Sequence, residues 1–382
     1  MRLYSNTMSA EEAVDLIAAR IDKCLKVRKE LFGTTAIRGI HMRMDISQSR
    51  TADWINRCTF IQLFPSVPAF PLLCQTRESK TVFVAKVVPY EHGSSIKTPT
   101  RPENVDSAMH VMLASSLVLK RKLPNIVLPY GSVIMDTEDV LSAIWTRLVK
   151  AESKRTWKEW RKEINVLPKS RVLFMEYCSG GDLASCLSYL HKEAAGGLIP
   201  TEYWISILGQ ICLTLARLQK DYPGVRDNDA HVHNWLIEFV PESTTYVYKM
   251  GKTTYVLPTQ GIELRLFDFE YATVPGLIDN DVFNSKRMRQ HSIDSTPNTY
   301  VDLHTVLNNI LNIMPGSSFP KAVRKFLDDA VPEQYRYSDD VSERLGRLKP
   351  TDKPVTTPAN MLKHSLFQKI RGAPKTSKSF GS

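Results

Sequence analysis

Apolar residues in the segment 9–32 recur at helical spacing, with Val14, Ile17, Ile21 and Leu25 on one face, which predicts an amphipathic helix. Ser9 and Glu12 form a capping box at its start, and Gly33 offers a stop. This helix is expected to pack on the segment that follows, the alternative being a free partner-binding helix. From Cys58 to Tyr90 the pattern changes to strand, in TFIQLF, PLLCQT and TVFVAKVV. The polar linker EHGSSIKTPTRPEN leads into a helical NVDSAMHVMLASSLVLKRK, and NIVLPYGSVIM reads as another strand. A basic amphipathic helix is predicted within 140–170, where Trp157 and Trp160 sit among many Lys and Arg. RVLFMEYCSGGDLASCL reads as a strand, a Gly-Gly break and a helix start. The segment 201–219 is apolar over a broad face and predicts a central buried helix. WLIEFV and LRLF are strands, and TTYVYKMGKTTYVLP alternates as a hairpin around Met250-Gly251-Lys252. PNTYVDLHTVLNNIL, KAVRKFLDD and TPANMLKHSLFQKI return to helical periodicity. The tail RGAPKTSKSFGS is basic and polar, a composition expected to be disordered.

Composition narrows the class. The 382 residues are 43% hydrophobic and 24% charged, as in globular proteins generally. No apolar run reaches the roughly 18–20 residues of a membrane span, and MRLYSNTMSAEE lacks a signal-peptide core, so a cytosolic or nuclear protein is expected. The six cysteines have no Cys-x-x-Cys spacing and read as reduced, buried thiols. A net charge of +10 would suit an acidic partner such as nucleic acid, a phosphoprotein or a lipid surface. The basic region 147–171, with its interleaved aromatics, is the candidate contact; a solvated face with the tryptophans packed inward is the alternative.

The chemistry concentrates between Arg226 and Ala272. Asp229 and Asn234, five apart, lie on a turn that leads into WLIEFV, and Asp268-Phe269 follows LRLF. Phosphoryl transfer needs such a set: one carboxylate to take or orient the proton of the attacking hydroxyl, and an amide oxygen with a second carboxylate to hold Mg²⁺ against the triphosphate. Asp229, His231 and His233 also form an Asp-x-His-x-His string, but no further His or Cys lies close in sequence, which weakens a metal reading. Lys86 in the apolar strand TVFVAKVV would be costly unless paired, so a buried partner is implied.

In this order the residues resemble the protein kinase superfamily. Asp229 stands in the place of the catalytic-loop Asp, Asn234 of the Mg²⁺-ligand Asn, Asp268-Phe269 of the Asp-Phe-Gly corner, and Lys86 of the third-strand lysine. The resemblance implies that Lys86 pairs with a carboxylate on the following helix. Asp106, 20 residues on, suits better than Glu103, 17 residues on, because it lies within the helical pattern. It further implies that Met175 is the gatekeeper, that the backbone of Glu176 and Cys178 bonds the adenine edge, that Asp182 lies near the ribose, and that Asp302 ties down the catalytic loop. The strings at 300–304 and 268–270, with NIVLPYGS and the Asp-x-His of the loop, resemble the serine/threonine kinases of large nucleo-cytoplasmic DNA viruses; host cytoplasm, nucleus or virion would then be the compartment.

The expected fold is α+β and bilobal, with a small antiparallel-sheet lobe and a larger, mainly helical one. Residues 1–57 would be a helical extension packed on the small lobe, 58–175 the small lobe, 176–370 the large lobe and 371–382 the tail. The implied activity is Mg²⁺- and ATP-dependent phosphorylation of protein Ser/Thr. The sequence also departs from the family. FPSVPAFPLL, with Pro65, Pro68 and Pro71 and no glycine, stands where kinases carry a Gly-rich phosphate loop. Asp227-Asn228 replaces His-Arg, Glu270 replaces the corner Gly, and His231 replaces the usual Lys. Activity is therefore expected not to need an activation-segment phosphate on 273–297, where Ser285, Ser292, Ser295 and Thr296 lie. A small-molecule phosphotransferase (aminoglycoside or choline type) and a catalytically dead scaffold remain the alternatives.

Overall fold

The computed structural model describes residues 10–33, 53–64, 69–90, 96–150, 157–158, 168–284, 297–336 and 355–372. Pro65, Pro68, Trp160, the candidate phosphosites Ser285, Ser292, Ser295 and Thr296, and the tail from 373 lie outside the described residues. The chain divides into two compact units: a smaller one of Ala18–Ser116 and Val127–Tyr177, and a larger one of the described parts of Met1–Ile17, Leu117–Ile126 and Cys178–Ser382. The expected α+β class holds, with one five-stranded antiparallel sheet and many helices.

In the smaller unit, α1 (Ala10–Phe32), which belongs to it from Ala18 on, is followed by the short α2 (Trp54–Arg57). Strands β1 (Cys58–Leu63), β2 (Phe70–Thr76), β3 (Val82–Pro89), β4 (Pro129–Asp136) and β5 (Lys169–Glu176) form the sheet in the order β1-β2-β3-β5-β4. Helices α3 (Pro102–Leu113) and α4 (Thr137–Ile144) complete the unit. Alternation along β5 places Phe174 against Phe32 and Trp54, with ring centroids 5.1 and 5.0 Å away. These edge contacts anchor α1 and α2 by burying large apolar rings. Glu30 in the last turn of α1 accepts the backbone N–H groups of Glu78 and Ser79 at 2.6 and 3.2 Å, which holds the β2–β3 turn.

Among the described residues of the basic region 147–171, Arg147 ahead of β5 and Arg171 on it turn inward. Arg147 donates to the Ile55 carbonyl at 2.6 Å and lies over the Phe60 ring. Arg171 is buried and bonds Tyr90, Asn104 and Ser132. The Trp157 ring packs on Trp145 at 6.0 Å. These groups are committed to the protein itself.

In the larger unit, α5 (Leu183–Glu193) and α6 (Thr201–Asp221) are followed by the strand pair β6 (Trp235–Phe239) and β9 (Ile262–Leu266), with the hairpin β7 (Thr245–Met250) and β8 (Thr253–Pro258) between them. Helices α7 (Val301–Ile313) and α8 (Lys321–Ala330) follow. α6 is buried from Ser206 to Leu218. Its Gln210 accepts from the Asn125 amide and the Leu264 N–H and donates to the Ile262 carbonyl, so a buried polar side chain is satisfied by fixing β9. Gly251 turns the hairpin at φ +63°, a conformation that glycine adopts without strain. Gly180 serves close approach: a Cβ there would lie 2.5 Å from the Ile237 side chain, and its N–H bonds the Ile237 carbonyl at 2.8 Å.

All six cysteines are buried thiols. Among the described residues no helix is long and apolar enough to cross a membrane.

Candidate active site

In the smaller unit the register sets Lys86 on β3 opposite Leu173 of β5, with its side chain only 6% exposed. Its ammonium meets the Asp106 carboxylate of α3 at 2.9 Å. Glu103, the other candidate, is taken by Arg101 at 3.1 Å. His110, one helical turn after Asp106, brings Nδ1 to 3.0 Å from the second carboxylate oxygen. The carboxylate thus sits between two nitrogen partners. Burial alone would raise its pKa, but the Lys86 and His110 charges outweigh that and hold it far below the usual carboxylate range. The i,i+4 spacing of Asp106 and His110 was visible in the sequence, and the role of His110 was not read from it.

At the end of β5, Met175 is buried and sits opposite Val84 and Pro129 in the ladders. Glu176 uses its backbone N–H on the Leu128 carbonyl at 3.0 Å. Its side chain, also buried, accepts from Leu128 N–H and from Arg20 of α1.

In the larger unit the turn 226–234 is fixed from below by Asp302 of α7. Its two carboxylate oxygens accept the consecutive N–H groups of Asp227 and Asn228, both at 2.9 Å. Asn228 adopts a left-handed φ of 66°, a strained conformation that its side chain supports by donating to the Tyr271 carbonyl at 2.9 Å. Asp229 follows, and Asn234 reaches back to it, its amide nitrogen 2.9 Å from the Asp229 carbonyl and 3.5 Å from the carboxylate. That commitment turns the amide nitrogen of Asn234 toward Asp229. The His231 ring also faces Asp229, with Nε2 3.5 Å from the carboxylate. Its Nδ1 accepts the His233 N–H at 3.2 Å, which assigns the neutral ring's proton to Nε2, the side toward Asp229.

Asp182 caps α5 by accepting the Ser185 N–H at 2.8 Å and bonds His233 Nδ1 at 2.7 Å. Burial opposes ionisation of Asp182, yet these bonds prevail and lower its pKa. Cys178 is buried with its Sγ 3.9 Å from the Arg265 guanidinium. The sequence did not signal that Asp182 is committed both to a helix cap and to His233.

After β9 the Phe267 N–H bonds the Asn234 carbonyl at 3.1 Å, which ties the corner to the loop. Asp268 holds a left-handed φ of 67°, and Phe269 is buried beside it. Glu270 is not among the residues of positive φ, so a side chain is accommodated where a kinase carries Gly. Its carbonyl accepts from the Asn280 amide at 2.8 Å.

Asp227 is fully buried; one oxygen accepts the Asp229 N–H at 3.2 Å, and Oδ2 has no partner among the described residues. Burial, and then the charges of Asp302, Asp229 and Asp268, push its carboxyl well above the ordinary range. A folded pKa above the unfolded one gives a contribution that is complete below about pH 4 and is lost as pH rises through the folded value. Asp227→Asn keeps an acceptor for Asp229 N–H and removes the charge. It is expected to be more stable than the parent by about 1–3 kcal/mol at pH 8, with the gap closing toward pH 4. Urea unfolding at both pH values reads this, and a gap independent of pH would contradict it.

The mixed α/β architecture, with its five-stranded antiparallel sheet and many helices, is consistent with a kinase-like fold. Over 314 residues the chain is 28% identical to the "Putative serine/threonine-protein kinase R400" of Acanthamoeba polyphaga mimivirus, which supports a kinase-like relationship with viral kinases. The match takes in 78% of this chain and 66% of that protein, just under two thirds of its length. No protein-family model matches the sequence.

Proposed function

We propose that this protein is a serine/threonine protein kinase that transfers the γ-phosphate of ATP to a protein hydroxyl. The observation that carries the reading is the loop 226–234, which Asp302 clamps while Asn234 and His231 converge on Asp229. A carboxylate so held suits a group that receives the proton of the attacking hydroxyl. As that oxygen bonds the γ-phosphorus, the bond to the β–γ bridging oxygen breaks and ADP leaves. His231 Nε2–H would orient the carboxylate. In the smaller unit the Lys86 ammonium, steadied by Asp106 and His110, would bind the α/β-phosphates. Met175 would border the adenine, with backbone groups of Glu176 and Cys178 at its edge and Asp182 by the ribose.

The larger unit's donors fit Mg²⁺. Asn234 offers an amide oxygen and Asp268 a carboxylate, both hard ligands, and the charges of Asp229, Asp268 and Asp302 already crowd Asp227. No group of three His, Cys, Asp or Glu able to hold a metal occurs among the described residues. One carboxylate plus an amide matches the way Mg²⁺ is commonly held, with phosphate oxygens and water completing its shell. When bound, the ion would neutralise charge on the phosphates. Residues 58–175, with 1–57 packed on them, would serve the nucleotide, 176–370 would carry the proton and metal chemistry, and 371–382 would be a tail.

His231 supports a second reading, a small-molecule phosphotransferase, because that position carries a lysine in protein kinases. Incubation with γ-labelled ATP and either casein and myelin basic protein, or an aminoglycoside and choline, separates the two. Phosphoserine and phosphothreonine on the proteins are expected; label on the small alcohols alone would overturn the protein-kinase reading.

A further inference from the structure

Helix α1 projects polar side chains from one face at i, i+4 and i+8, all into the β4–β5 end of the sheet. Arg20 makes a two-pronged contact with the Glu176 carboxylate, Nε to Oε2 at 3.1 Å and Nη2 to Oε1 at 2.5 Å. Cys24 Sγ lies 3.8 Å from the Pro129 carbonyl, and Arg28 Nη1 donates to the Tyr130 carbonyl at 2.5 Å. Tyr130 is the residue at which the β4–β5 register slips, between Pro129 opposite Met175 and Gly131 opposite Phe174. A bulged residue is left out of the ladder, so the Arg28 contact satisfies a carbonyl in the irregular part of the strand. Arg20 and Glu176 are 7% and 3% exposed. Breaking such a pair strands a buried charge.

Glu176 links three segments. Its Oε1 accepts the Leu128 N–H at 2.7 Å, its own N–H bonds the Leu128 carbonyl, and Arg20 closes the group from α1. Met175, directly before it, pairs with Pro129 across the same bulge. The strand end assigned above to adenine recognition is therefore held by α1, whose Arg20 lies 156 positions away in the sequence.

We infer that Arg20 is a positioning residue for the nucleobase edge: through Glu176 it sets the backbone of Met175 and Glu176 that adenine would meet. The inference rests on the nucleotide-binding reading proposed above. It predicts a selective effect. Arg20 bonds Glu176 at the strand end and not the Lys86 ammonium assigned to the phosphates, which Asp106 holds, so its loss weakens recognition of the base and leaves triphosphate binding nearly intact.

The test compares wild type with Arg20→Lys, which keeps the charge and loses the planar fork. It adds the double variant Arg20→Met/Glu176→Gln, which removes both charges so that neither is left buried alone. Adenosine and tripolyphosphate affinities are measured by calorimetry, and KM for ATP and kcat by label transfer. The expected result in both variants is a loss of adenosine affinity and a rise in KM for ATP of about tenfold. In Arg20→Lys, tripolyphosphate affinity and kcat should stay within about threefold. A lower melting temperature with adenosine affinity unchanged in either folded variant would overturn the inference and leave the pair purely structural. Equal losses for adenosine and tripolyphosphate would overturn it too. Wild-type protein that binds neither adenosine nor ATP would instead remove the nucleotide-binding reading itself, a result that no comparison among variants can mimic.

Discussion

Asp229→Asn is expected to lower kcat for phosphoryl transfer by about 10²–10⁴-fold and to leave KM for ATP within about threefold. The amide is nearly isosteric with the carboxylate, and the loop's backbone is held by other groups. Asp302 holds the Asp227 and Asn228 N–H groups, and Asn234 bonds the Asp229 main-chain carbonyl. What the variant loses is a group able to accept a proton. An effect confined to kcat is the mark of an interaction that matters in the transition state. Steady-state kinetics with ATP varied at saturating protein acceptor reads both parameters, and a kcat within tenfold of wild type would exclude Asp229 as the base.

The second large effect belongs to the Lys86–Asp106 pair. Asp106→Ala leaves a buried ammonium without its carboxylate, and breaking such a pair costs about 3–5 kcal/mol. In a chain of this size that corresponds to a melting-temperature drop on the order of 10 °C. The pair also predicts an acid-side signature. Burial would raise the Asp106 carboxyl, but Lys86 and His110 hold it low. Its folded pKa is thus below the unfolded one, so its contribution is complete above about pH 4 and is lost as pH falls further. Lys86→Met/Asp106→Leu replaces both charges with apolar groups. It should restore much of the stability, flatten the acid-side dependence, and remain without transfer activity because no cation is left for the phosphates. Thermal unfolding between pH 3 and 7, with label transfer at pH 7.5, checks all three. A double variant that still transfers phosphate at the wild-type rate would remove Lys86 from the mechanism.

The elements that were legible in the sequence share one property: their signal is local. Helix α1, the strands around Lys86 and the hairpin turning at Gly251 all follow from periodicity or turn chemistry over a few residues. Lys86 needed a partner because an ammonium in an apolar strand is costly, and the geometry supplies Asp106. What was not legible depends on contacts between distant segments. Nothing within residues 9–32 shows that Arg20 meets Glu176, 156 positions away. Likewise the sequence marks Asp182 and His233 as polar but not as partners across 51 positions. Glu270 stood out in the sequence as a departure from the corner glycine, and it was one motive for the scaffold alternative. The backbone carries its positive φ one step earlier in the corner, at Asp268, and glutamate at 270 is tolerated.

The central claim is that this chain catalyses phosphoryl transfer from ATP to protein. The most direct measurement follows γ-labelled ATP and Mg²⁺ with purified wild-type protein and a protein acceptor, over time, beside the same reaction in EDTA. Label is expected to accumulate on serine and threonine in proportion to enzyme and to stop when the metal is chelated. Bound ATP with no label on protein at any enzyme concentration would contradict the account.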